Sequence, residues 1–115
     1  MEIDEINILV VDAIKNDFND ILIISKIVFL YFKNDKKIID SYEKIRIGIS
    51  EEIFQLFINI ANFYNKKAND YDECSKEWRE NKEMYVKILE LSLKLKDAKF
   101  KDKIMNSYII KNKSL

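Results

Sequence analysis

Carboxylates are the only side chains in this sequence spaced closely enough to suggest chemistry. Asp12, Asp17 and Asp20 fall in one short stretch, and Glu80 and Glu83 stand about one helical turn apart. Two acids whose environments separate their pKa values can run general acid–base catalysis. The partners for most other chemistries are missing. Histidine is absent, which removes Ser-His and Cys-His nucleophilic pairs, His-ligated zinc and haem, and the Glu-x-x-His ligands of di-iron bundles. The one glycine, Gly48, leaves no Gly-rich phosphate loop. Because 35% of the residues are charged, acid pairs at short spacing arise by chance, and solvated surface is the expectation for both groups. No catalytic residue, cofactor or metal site is expected, and the chain reads as a non-enzyme.

Cys74 lies in the acidic run Asp72-Glu73-Cys74. Neighbouring carboxylates raise a thiol pKa, whereas an activated thiol needs positive surroundings, so an inert cysteine is expected. A lone cysteine also cannot form an intrachain disulfide. With an acidic rather than basic start at Met1–Glu5, the chain reads as intracellular and cytoplasmic.

Charge sums to zero, with 20 basic and 20 acidic residues, but it is unevenly spread. Residues 1–20 carry six acids and one lysine, net −5, while residues 94–113 carry seven lysines and two aspartates, net +5. Terminal helices lying side by side would neutralise one another. Otherwise Lys94, Lys96, Lys99, Lys101 and Lys103 form a basic strip for an acidic protein or a nucleic-acid backbone. Arginine, the usual residue for bidentate phosphate contacts, occurs only at Arg46 and Arg79. Nucleic acid is therefore the less favoured partner.

Near absence of Gly and Pro argues against the turns that β-rich folds need. Apolar residues make up 48% of the 115, enough for one domain with a real core. The spacing predicts an all-α fold: a single compact bundle of five to six helices spanning residues 1–115, with a buried central helix near 51–66. Ile3, Ile6, Leu9, Val10, Ala13 and Ile14 mark the inner face of a first helix; a strand over Ile6–Asp12 is the competing reading, since the run is β-branched. Asp17 is a candidate cap for the second helix, with Asp20 three residues on. The run Ile21–Phe32 is the most apolar of the chain. As a helix it spans about 18 Å against roughly 30 Å of bilayer hydrocarbon, so it is not a membrane span.

Ile38, Tyr42, Ile45 and Ile49 predict a third helix that ends at Gly48 in the left-handed conformation. Ser50 then reads as the cap of a fourth, with Ile49 stapled onto Phe54. That fourth helix leaves one polar stripe, Gln55, Asn59, Asn62 and Lys66. Asp72 or Ser75 caps a helix running to about Lys96, with Met84, Ile88, Leu91 and Leu95 as its apolar line. A last helix over Asp97–Ile110 turns Phe100, Ile104, Met105 and Tyr108 inward.

Two segments, 21–32 and 51–66, are apolar nearly all round, more than so short a chain is expected to cover. The surplus is expected on Ile23, Val28, Leu30 and Tyr31, with Lys26 at the rim. The functional expectation is a non-catalytic protein–protein interaction module: an inhibitor, immunity protein or antitoxin-type protein, of the kind phages and mobile elements carry. It would act by occupying a partner protein or by pairing with a second copy. The alternative is a small helical subunit of a nucleoprotein complex, touching the nucleic-acid backbone through the C-terminal lysines.

Overall fold

A computed structural model describes residues 2–16 and 20–113, and every regular element among them is helical. The elements are α1 (Glu2–Lys15), α2 (Ile21–Phe32), α3 (Lys36–Ile39), α4 (Tyr42–Gly48), a π-helical segment (Ile49–Ile53), α5 (Phe54–Ala68), α6 (Lys76–Lys94) and α7 (Ala98–Lys113). The fold is an all-α bundle. Residues 6–12 lie in α1, not in a strand.

Caps explain most boundaries. The Leu22 backbone N–H donates to Asp20 Oδ1 at 3.0 Å, which makes Asp20 the cap of α2; Asp17 lies outside the described residues. Ser41 Oγ accepts from the Lys44 N–H, Ser75 Oγ from the Trp78 N–H, and Asp97 Oδ1 from the Phe100 N–H. Ser75 rather than Asp72 therefore starts α6.

The predicted corner at Gly48-Ile49-Ser50 is not there. Gly48 is right-handed helical, with φ −58° and ψ −35°, and the chain runs on through the π segment into α5. Residues 42–68 thus form one rod of about 40 Å at 1.5 Å per residue. The glycine is needed for a close approach instead of a turn. A Cβ at this position would lie 2.7 Å from Cζ of Phe32, whose ring at the end of α2 crosses the rod there. With no helix start at this point there is no cap for a staple to span, and Ser50 is not an N-cap. Its Oγ accepts a hydrogen bond from Lys101 Nζ at 2.6 Å.

The π segment has a cause in the sequence. Ile45, Ile49, Ile53, Phe57 and Ala61 recur every four residues and are all buried. In an α-helix each four-residue step drifts about 40° round the axis, so Ile45 and Phe57 would stand about 120° apart. One inserted residue, taken up by the bond from the Phe54 N–H to the Ile49 carbonyl, returns about 100° of that drift. All five side chains then enter one core.

That core is built around α2, which packs on α1 and on α7 and meets α3 and the π segment near its end. Ile24, Ile27 and Val28 are buried between these neighbours. Ser25, also buried, donates to the Ile21 carbonyl at 2.9 Å and approaches the Ile104 carbonyl of α7 at 3.3 Å. From the 51–66 stretch, Ile53, Phe57 and Ala61 enter the same core against Ile88 and Leu91 of α6. Gln55, Asn59, Asn62 and Lys66 face water as the predicted polar stripe. The covering is not complete, because Phe63 is 56% exposed. Phe100 is half-buried, and Ile104 and Met105 are buried, as expected; the side chains of Ile3 and Tyr108 lie outside the described residues.

Candidate interaction surface

The α2 surface predicted to take a partner is mostly consumed by the fold. Val28 is fully buried, so it belongs to the core and not to a surface. Ile23 and Leu30 are half-buried and pack against that core. Lys26 is exposed, and Tyr31 keeps 40% of its surface. Because α2 stands between other helices, most of its apolar side chains are covered, although Leu22 stays 62% exposed.

Tyr31 does line a recess of about 400 Å³ with Glu51, Glu52, Gln55, Leu56 and Asn59, at the joint between α2 and the π segment. Burial pushes the Tyr31 phenol above its usual range, and the Glu52 carboxylate adds to the shift by opposing a phenolate. Glu80 faces Lys76 and Glu83 faces Lys87 along the outside of α6, and Asp20 is spent on its cap. Among the described residues no group of three or more His, Cys, Asp and Glu side chains is arranged to hold a metal ion. Cys74 is exposed in the loop before α6 and takes a left-handed φ of 68°.

The five lysines of the predicted strip are split between two places. Lys101 turns toward the rod and bonds Ser50, while Lys96 lies over the Phe54 ring, 4.1 Å from its centroid. Lys94, Lys99 and Lys103 instead gather round a recess of about 550 Å³ where α6 gives way to α7, floored by Leu93 and Phe100. Asp97 is the acid that lines it, and its Oδ1 already accepts the Phe100 N–H at 2.9 Å. The acidic α1 and the basic α7 each pack on α2, so the two terminal helices are not each other's main neighbour.

Helix α6 presents an apolar row that the sequence expectation did not single out. Ile88, Leu91 and Leu95 fill the core, yet Val86 is 48% and Leu93 67% exposed on another side of the helix, with half-buried Leu89 between them. Positions 86 and 93 share a face at i, i+7 spacing. Their absence from the core line of Met84, Ile88, Leu91 and Leu95 was the available signal. Elsewhere Ile8, 63% exposed, lies on the side of α1 opposite Ile6, Val10 and Ala13.

Among the described residues no helix is long and apolar enough to cross a membrane. Comparison with protein-family models, with curated proteins and with solved structures finds no match to this chain.

Proposed function

We propose that this chain is a non-catalytic protein-binding module, an inhibitor, immunity protein or antitoxin-type protein that works by covering a partner. The observation that supports this reading is α6, apolar on a second side. Leu93 and Val86 form a row left 67% and 48% exposed, and the row runs into the lysine-bearing recess that Leu93 lines. Leaving large aliphatic side chains in water forgoes about 1.5–3 kcal/mol for each one that burial would recover. A partner that seats on the row recovers it, and the lysines add steering and register.

Photo-cross-linking in the native source tests this. A photoreactive residue at position 86 or 93 is expected to give discrete protein adducts, and one at Asn62, on the polar stripe, none. Val86→Glu with Leu93→Glu, both at exposed positions, should abolish the adducts while leaving the helical circular dichroism spectrum intact. Equal labelling from all three sites would sink the reading. The three lysines round the recess keep a second reading in play, contact with a nucleic-acid backbone. Its mark is binding that falls about linearly with log salt and tracks Lys99 and Lys103 rather than Leu93.

A further inference from the structure

We infer that the partner for the α6–α7 recess is a second copy of this chain, which inserts the outer face of its α1. The inference rests on the contact reading above and names its occupant.

The recess asks for an apolar side chain flanked by acids. It is lined by Leu93 and Phe100 together with Lys99 and Lys103; Lys94 also lines it but is engaged within the chain, and the carboxylate of its one aspartate, Asp97, accepts the Phe100 N–H. The outer face of α1 has that composition. Ile8 stands at its middle, 63% exposed, with Glu5 one turn before it and Asp12 one turn after. Lys15 follows at the end of the same face, past the acids. Among the described residues α1 packs on α2 and more lightly on α6, while α7 packs on α2, so α1 and α7 are not main neighbours. Along the sequence, residues 1–20 carry net −5 and residues 94–113 net +5, a polarity that a second copy can match end for end.

Two copies related by a two-fold axis solve this at both ends at once. Each supplies one acidic ridge and one basic recess, and an isologous pair satisfies both contacts with the same residues. Opposite charges close to an apolar contact fix register and hasten encounter, while Ile8 against Leu93 and Phe100 supplies the burial. Because the charges are exposed, the pair must weaken with salt.

Sedimentation of the full chain with a charge-swap set tests the inference. The wild-type chain is expected to sediment near twice 13.8 kDa at low salt, with a dissociation constant that rises about tenfold or more as salt is raised into the molar range. Glu5→Lys with Asp12→Lys should give a monomer, and so should Lys99→Glu with Lys103→Glu. Mixing the two variants should restore the pair, since each new surface then meets its opposite. A monomeric wild type, or variants that fail to rescue each other, would overturn the second copy as occupant. The photo-cross-link at position 93 keeps the two ideas apart. An adduct of self mass supports the inference; an adduct of foreign mass defeats it yet sustains the contact reading; no adduct defeats both.

Discussion

The two ends of the 42–68 rod are held in different ways. At the α2 end, the rod meets α2 through the π segment and lies against α3 and α7 as well. Its side chains there, Ile45, Ile49, Ile53 and Phe57, are all buried, and Gly48 lets the Phe32 ring come within contact. Past the π segment α5 has one principal neighbour, α6. The outer part of that hairpin closes over small residues, Ala61 and Ala68, with half-buried Tyr64, Trp78 and Tyr85 at its sides. Lys82 helps tie it, donating to Asn65 Oδ1 at 2.5 Å and lying 5.7 Å from the Trp78 ring centroid. Close packing against several helices makes one end a cooperative core; a single helix pair leaves the other to open on its own.

Substitutions should expose that contrast. Phe57→Ala empties a fully buried aromatic site and should cost about 3–5 kcal/mol in chemical denaturation. Trp78→Ala on the outer hairpin removes a half-buried ring and should cost about 1–2 kcal/mol. Similar losses from the two would abolish the distinction. Between them lies Gly48→Ala. Alanine is the better helix former by about 1 kcal/mol, yet its Cβ meets a buried ring, and a net loss of about 1–3 kcal/mol is expected. Shortening the ring with Phe32→Leu should remove part of that penalty in the double variant, a coupling that denaturation of all four proteins would measure.

Hydrogen exchange sharpens the comparison without mutation. Amides of residues 62–68 and 78–86 should exchange through smaller openings than those of residues 24–28 and 49–57. At the tip, Cys74→Gly relieves a left-handed φ at the expense of chain entropy and should stabilise by only about 0.5 kcal/mol. The smallest effect is at Tyr31. Its phenol ionises above the unfolded value, so this contribution to stability is whole below about pH 10 and is lost as pH rises through the folded pKa. Ultraviolet difference titration against Tyr31→Phe should place the Tyr31 phenol above its ordinary value, moved only partly back by Glu52→Gln, because burial is the larger cause.

Helical periodicity and caps made α1, α2, α6 and α7 legible, since their apolar lines repeat within single elements. The rod was misread for a physical reason. Gly48 and Ser50 carry every local mark of a helix end and a helix start, while the glycine answers to the ring of Phe32, sixteen residues earlier and invisible to any local pattern. A four-residue repeat from Ile45 to Ala61 did announce the π segment, because no plain α-helix keeps such a row on one side. On α2, apolar character translated only partly into free surface. Val28 is needed inside, and the row at Val86 and Leu93 belonged to a helix whose mean hydropathy is modest.

An unbroken shaft from the centre of the molecule to its far tip has no hinge along its length. The inserted residue in the 49–53 turn therefore works as a fixed gear tooth. Removing it would swing the outer hairpin about 100° round the shaft relative to α2. The heading of that hairpin is set where the chain crosses Phe32.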